Sequence, residues 1–216
     1  MFNLQDILIG VPTTLVALTF HEFAHGWVSS KLGDPTPRYQ GRLTLNPIAH
    51  LDLIGTILMI LTGFGWAKPV QINPNYYKDR TKGMALVAFA GPLANFILAF
   101  LGMFIGYMLI LLFSRLGAGR TFISVVYTIM YFFVVRNLCF MVFNLIPIPP
   151  LDGFKVAGIF LPGRIYYKIL RYEQYVIFAI MILSLIGAFN IVIGTGVSFF
   201  MNLMNKVIMS MLNIFI

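Results

Sequence analysis

The stretch that decides the fold is ILIGVPTTLVALTFHEFAHGWVSS, residues 7–30. It contains no Lys or Arg and a single acid, Glu22, over 24 residues. At 1.5 Å per residue, a helix of this length crosses the roughly 30 Å hydrocarbon core of a bilayer. The stretch has neither a basic start nor a small-residue cleavage site, so it predicts a retained transmembrane helix and not a signal peptide.

The composition of the whole chain agrees with a membrane location. Hydrophobic residues make up 59% of the 216 residues. Charged residues make up only 10%, against about 25% in soluble domains. So few charges cannot cover the surface of a soluble globule, so that class is excluded. The net charge of +8 then indicates which loops face the cytoplasm, and no nucleic-acid partner is expected.

Other apolar runs predict the remaining membrane segments. Three uncharged or nearly uncharged runs predict further spans, at residues 84–113, 122–146 and 175–193. Residues 53–66 are apolar for too short a length to cross and predict a re-entrant or interfacial helix. The tail, residues 197–216, predicts either a last span or a helix lying in the interface. The expected fold class is an all-α polytopic membrane protein with four to six transmembrane helices.

The distribution of basic residues predicts the orientation. If residues 53–66 do not cross, eleven basic residues lie on one side of the membrane, and Arg115 and Arg120 lie on the other. Because cytoplasmic loops are enriched in Lys and Arg, the N-terminus is expected outside. The eleven are Lys31, Arg38, Arg42, Lys68, Lys78, Arg80, Lys82, Lys155, Arg164, Lys168 and Arg171.

Two short segments between the first two spans have a different pattern. RLTLNP at residues 42–47 and PVQINP at residues 69–74 alternate polar and apolar residues and close on Asn-Pro. Alternation of this kind is typical of strands, and strands near a membrane need paired backbone groups. We therefore expect a short membrane-associated β-hairpin near residues 42–73, beside the re-entrant segment.

The first span carries the sequence HEFAH, residues 21–25. Four residues at 100° each place His21 and His25 on nearly the same helix face, one turn apart. Two imidazoles at this spacing can supply two zinc ligands, and Glu22 can act as a general base. The alternative is a set of polar residues that packs helices together, but ionisable groups inside a span are costly and usually functional.

A hydrolytic zinc needs a third protein ligand, and Asp152 is the favoured candidate. It lies in NLIPIPPLDG, residues 144–153, where three prolines cannot continue a helix and Gly153 permits a sharp turn. Irregular backbone at membrane depth is tolerated where it lines a cavity. His50 and Asp52 form a rival pair of ligands, and a solvated surface turn is the alternative for Asp152.

In combination, these motifs resemble the site-2 protease family of intramembrane zinc metalloproteases. The resemblance rests on HEFAH (21–25), AGPLAN (90–95) and FNLIPIPPLDG (143–153). NPIAH (46–50) and GWAKPV (65–70) are similar to the short, single-domain bacterial and archaeal branch. The resemblance to the family covers residues 19–153. Membership would place the chain in a prokaryotic plasma membrane.

The resemblance implies a set of roles for individual residues. His21, His25 and Asp152 would bind Zn²⁺, Glu22 would be the general base, and Asn144 would lie near the substrate. Asn95 is expected to pack or kink helices or to contact the substrate.

The implied function is endopeptidase cleavage within or near transmembrane segments of membrane-protein substrates, in contact with the lipid bilayer and toward the cytoplasmic side. One domain is expected over residues 1–216, with a catalytic core at about 4–160 and extra helices at 173–216. A competing hypothesis is a metal transporter or metal-binding membrane subunit that uses the same His and Asp residues. Transporters tend to carry ionisable residues through several spans, and here they cluster near one face.

Overall fold

The computed structural model describes residues 6–62 and 66–215, and these residues are mostly helical. A π-helical turn, Asp6–Gly10, leads into the first helix, and 3-10 turns form at Pro47–His50 and Pro74–Tyr76. In chain order the α-helices are α1 (Val11–Lys31), α2 (Thr36–Tyr39), α3 (Leu53–Thr62), α4 (Arg80–Arg115), α5 (Arg120–Asn144), α6 (Asp152–Ala157), α7 (Gly163–Leu170), α8 (Glu173–Leu185) and α9 (Asn190–Phe215).

Four of these segments are long and apolar enough to cross a membrane. They are Ile7–Lys31, Arg80–Arg115, Arg120–Asn144 and Asn190–Leu212. The first three correspond to the first three predicted spans, which are thereby confirmed as span candidates. The chain is an integral membrane protein built from helices.

The fourth predicted span, residues 175–193, is wrong. Helix α8 ends at Leu185, because Gly187 adopts a φ of 75° that other residues rarely take. The amide of Ala188 bonds the Leu183 carbonyl at 2.9 Å, and that of Gly187 bonds the Ser184 carbonyl at 3.1 Å. This pair of bonds closes a helix in the Schellman motif. The 13-residue α8 is therefore too short for a span, and α9, in the tail, takes its place.

The predicted β-hairpin is also wrong, since residues 42–47 and 69–74 form no strands. The only β contact among the described residues is an isolated antiparallel bridge between Leu51 and Ala67. Side chains bond some of the local backbone amides instead. Asn46 accepts from the Ile48 amide at 3.1 Å, and Asp34 accepts from the Asn73 amide at 2.7 Å. Asn and Asp offer the backbone this alternative to a strand ladder.

The re-entrant prediction is only partly covered by the described residues. Helix α3 has 10 residues, whereas a crossing helix needs about 20. Residues 63–65, within the predicted re-entrant segment, lie outside the described residues.

Helix α4 lies at the centre and packs against both α1 and α5, while α9 packs against α5. Small residues allow the close approach. A Cβ at Gly102 would lie 2.5 Å from the Phe133 ring, and one at Gly106 would lie 2.3 Å from Met130. Close packing through small residues holds helices together where lipid removes the hydrophobic driving force. Helices α4, α5 and α9 share a buried core, which is formed by Ala99, Met103, Met130, Val134, Leu138, Met141, Val197, Met204 and Ile208.

Candidate metal centre

Three side chains that are far apart in the sequence meet between α1 and the start of α6. His21 is 5% exposed, His25 9% and Asp152 6%. The Asp152 Oδ2 atom lies 3.1 Å from His21 Nε2 and 3.0 Å from His25 Nε2. The two Nε2 atoms are 3.0 Å apart. Among the described residues this is the group of His, Cys, Asp and Glu side chains that could hold a metal ion. We call it the metal triad.

The metal triad fits zinc. Two imidazole nitrogens and one carboxylate form the donor set of a catalytic zinc site, which keeps a fourth position open. Ligand atoms at about 2.0–2.1 Å from a tetrahedral zinc lie about 3.3 Å from one another. The three observed separations of 3.0–3.1 Å are close to that triangle.

The segment that connects the end of α5 to Asp152 is closely packed. A Cβ on Gly153 would lie 2.2 Å from the backbone oxygen of Leu145, so this turn can approach the end of α5 only with Gly. Gly153 does not have a positive φ, so what requires glycine here is the close approach to Leu145. Lys155, on the next turn of α6, places its Nζ 3.4 Å from Asp152 Oδ1.

The charge state of Asp152 also suits a metal ligand. Burial by itself raises the pKa of Asp152, but the adjacent His25 and His21 side chains outweigh that effect. They hold the pKa of the carboxyl well below its usual range. Asp152 is therefore an anion at neutral pH, as a carboxylate ligand must be.

Each triad histidine is fixed through its other ring nitrogen. His21 Nδ1 lies 2.7 Å from Asn95 Oδ1, and His25 Nδ1 lies 2.7 Å from the backbone oxygen of Val87. Both acceptors are on α4. With Nδ1 engaged in this way, both Nε2 atoms face Asp152. Partners of this kind orient metal-binding imidazoles.

Gly91 gives α4 room to approach the two imidazoles. A Cβ at this position would lie 2.5 Å from His25 Nε2 and 2.6 Å from His21 Cε1. Cβ contacts under 3.0 Å are essentially never seen. Gly91 therefore forms one wall of the metal triad with its backbone alone.

Glu22 is partly buried beside the metal triad and contacts the segment that precedes α4. The backbone amide of Val70 donates a hydrogen bond to Glu22 Oε2 at 2.9 Å. This bond fixes one carboxylate oxygen and leaves Oε1 as the other acceptor.

The other predicted site residues are placed differently. Asn95 is fully buried, and its amide is bonded within the protein. Asn144 donates to the Phe140 carbonyl of its own helix at 3.0 Å, and it shares no hydrogen bond with the metal triad among the described residues. The rival pair lies elsewhere: His50 Nε2 donates to the Thr44 carbonyl at 2.8 Å, and Asp52 accepts from the Gly55 amide at 2.9 Å.

Several residues around the metal triad were not identified as site residues from the sequence. Val70 lies in the GWAKPV motif, which gave no sign of a bond to Glu22, and Lys155 carries no signal that separates it from the other basic residues. Gly91 lies in the AGPLAN motif, which marked the region but not the contact. Asn137, buried on α5 and bonded to Asn95, could have been found as a polar residue within a predicted span.

Comparison with known proteins gives relatives of one kind. The chain is 39% identical over 185 residues to "Putative zinc metalloprotease YwhC" of Bacillus subtilis, covering 83% of this chain and 82% of the relative. It is 29% identical over 160 residues to "Putative zinc metalloprotease MJ0611" of Methanocaldococcus jannaschii, covering 72% of each. It is 30% identical over 150 residues to "Putative zinc metalloprotease Rip2" of Mycolicibacterium smegmatis, covering 65% of this chain and 52% of the relative.

No solved structure matches the chain. The family described as Peptidase family M50 matches residues 11–188, which include the whole metal triad. The relatives' names agree with zinc as the cofactor that the triad fits. The chain therefore belongs to peptidase family M50, the family of the site-2 proteases, and is a metalloendopeptidase.

Proposed function

We propose that this protein is a zinc-dependent intramembrane endopeptidase that cleaves membrane-protein substrates within or near their transmembrane segments. The observation that carries the proposal is the metal triad, because two of its members lie on α1, within a candidate membrane span. An ionisable cluster buried in a span is costly and is kept for function. This position supports the proposed substrate class.

The position also supports an active site toward the cytoplasmic side. His25 lies six residues before Lys31, which is about 9 Å along a helix, and Lys31 belongs to the eleven-residue basic side. The last of the eleven basic residues, Arg171, precedes both α8 and α9. The number of basic residues on each side is therefore the same whether the fourth span is residues 175–193 or α9. We propose a prokaryotic plasma membrane, with the N-terminus outside and the basic loops inside.

In the proposed mechanism His21, His25 and Asp152 hold the metal. A bound zinc would supply Lewis acidity, which lowers the pKa of a water molecule and polarises a peptide carbonyl.

The proton transfers fall to Glu22. Its Oε2 accepts a hydrogen bond from the Val70 amide, which leaves Oε1 without that bond. We assign to Oε1 the proton that water gives up as its oxygen adds to the peptide carbonyl carbon. The same oxygen then returns the proton to the leaving amine.

The test is Glu22→Gln in purified protein reconstituted with a transmembrane peptide. Cleavage should fall by about 10²–10⁴-fold, the usual contribution of a general acid–base group. Zinc content should stay at the wild-type level, because the metal triad is intact. Glu173→Gln is the matched control, since Glu173 is the one other Glu of the chain and lies at the start of α8. It should cleave normally.

The other outcomes are informative. Undiminished cleavage by Glu22→Gln would refute the proposed base. Zinc uptake into vesicles without cleavage by the wild type would favour the transporter hypothesis. Cleavage of soluble peptides but not of the transmembrane peptide would refute the intramembrane substrate class.

A further inference from the structure

A chain of side-chain amides runs from α5 through α4 to the metal triad. Asn137 Nδ2 donates to the Phe133 carbonyl at 2.9 Å, and Asn137 Oδ1 accepts from Asn95 Nδ2 at 3.0 Å. Asn95 Nδ2 also donates to the Ala17 carbonyl at 2.9 Å. Asn95 Oδ1 faces His21 Nδ1 at 2.7 Å. This series of hydrogen bonds thus links three helices that are candidate membrane spans, α1, α4 and α5.

Two backbone carbonyls, those of Phe133 and Ala17, determine which group donates in every hydrogen bond of this series. A backbone carbonyl can only accept, so Phe133 fixes the NH₂ group of Asn137 and turns its oxygen toward Asn95. The Ala17 carbonyl and this oxygen together occupy the NH₂ group of Asn95. The Asn95 oxygen is therefore left facing His21 and requires an N–H donor there, which is Nδ1–H.

This direction matters because it leaves Nε2 of His21 as the nitrogen with a free lone pair. Nε2 is the atom that faces Asp152 and His25. A neutral imidazole binds a metal through its unprotonated nitrogen. If Asn95 were flipped, its NH₂ group would face Nδ1, and the proton of His21 would move to the metal-facing side.

The two triad histidines differ in the group that holds the proton on Nδ1. His25 Nδ1 bonds a backbone oxygen, that of Val87, which cannot flip. His21 bonds a side-chain amide, which can. His50 bonds the Thr44 carbonyl through Nε2, the opposite nitrogen, so histidines of this chain do not share one tautomer by default.

We propose that Asn137 is a positioning residue that acts through Asn95 to fix the tautomer and ring orientation of His21 for metal binding. Both Asn side chains are fully buried, so each unpaired group would carry a cost that favours this one arrangement. The inference rests on the ligand role of His21 in the proposed function.

The test is Asn137→Leu, which keeps similar bulk and removes the amide. Zinc affinity, measured by competition with a chelating dye, should fall by about 10–100-fold, as for other partners of metal ligands. Thr19→Val is the matched control. Thr19 is buried on α1 two residues from His21, and its hydroxyl bonds only the nearby Leu15 carbonyl among the described residues. This variant should bind zinc with wild-type affinity.

A second readout separates positioning from general stability. The chain has three histidines, so ¹⁵N-histidine labelling gives three imidazoles in the zinc-loaded protein. The wild type should show a hydrogen-bonded Nδ1–H on His21, and Asn137→Leu should weaken or lose that signal while His25 keeps its own. Mere packing by Asn137 would lower the unfolding temperature without moving this resonance.

Wild-type zinc affinity and an unchanged His21 signal in Asn137→Leu would overturn the inference. If that variant does not fold, Asn137→Ala replaces it, because alanine is a good helix former and offers no side-chain acceptor to Asn95 Nδ2, which Asn137 Oδ1 accepts from in the wild type. The same two results are decisive there. Failure of the wild type to bind zinc, in contrast, would overturn the proposed function itself.

Discussion

Gly91→Ala tests whether the backbone of α4 sets the position of both triad histidines. The added methyl would lie 2.5 Å from His25 Nε2 and 2.6 Å from His21 Cε1, whereas ordinary contact begins at 3.4 Å. The rings must therefore retreat by about 1 Å, several times the roughly 0.2 Å tolerance of metal–ligand distances. A displacement of this size should cost about 10²-fold in peptidase activity, and zinc affinity should fall with it.

Two matched variants make the result specific. Gly102→Ala, on the same helix, would place its methyl 2.5 Å from the Phe133 ring, and Gly194→Ala meets nothing within 4 Å. Overpacking should cost both Gly91→Ala and Gly102→Ala about 1–3 kcal/mol of stability. Only Gly91→Ala should lose zinc and activity in chelator competition and peptide cleavage. Full zinc affinity in Gly91→Ala, or an equal loss in Gly102→Ala, would refute the proposed local contact.

Three further results are expected. Asp34→Asn should lose about 1–3 kcal/mol of unfolding free energy. The buried Asp34 carboxylate accepts three hydrogen bonds, from Ser29 Oγ at 2.7 Å, Thr36 N at 2.9 Å and Asn73 N at 2.7 Å. Unchanged thermal unfolding of the variant would contradict this. Burial by itself raises the pKa of Asp34, but these bonds outweigh it and hold the pKa below its ordinary value of 3.8. The stabilisation should therefore be complete above that value and lost as pH falls below it, so the wild type should approach Asp34→Asn in thermal unfolding at acid pH. Chelation should abolish cleavage and lower the unfolding temperature, and Zn²⁺ should restore both; cleavage insensitive to chelators would count against a metal mechanism.

The errors in the predicted fold have local physical causes. Hydropathy is averaged over a window of residues, so it does not reveal where a helix ends. It therefore did not predict that α8 ends before Gly187 or that the fourth candidate span is α9. The alternating patterns at residues 42–47 and 69–74 favoured strands. Asn46 and Asp34 bond the backbone there with their side chains, and a strand ladder does not form.

The sequence by itself determined what depends on neighbours along the chain. Helix periodicity puts His21 and His25 on one face, and the absence of charge around them makes their helix a candidate span. These features predicted a zinc site within a span. The resemblance that HEFAH shares with the other motifs implied a metallopeptidase, and the family match confirms it.

The sequence favoured Asp152 but left His50 and Asp52 as rivals, and only the tertiary structure decided which of these distant groups meets His21 and His25. Asp152 lies 131 positions from His21, and the amide of Asn95 lies 74 positions away. The Gly91 wall and the Val70 bond to Glu22 likewise join separate elements. Such contacts depend on how closely α1, α4 and α6 pack, and no residue pattern within one helix specifies that distance.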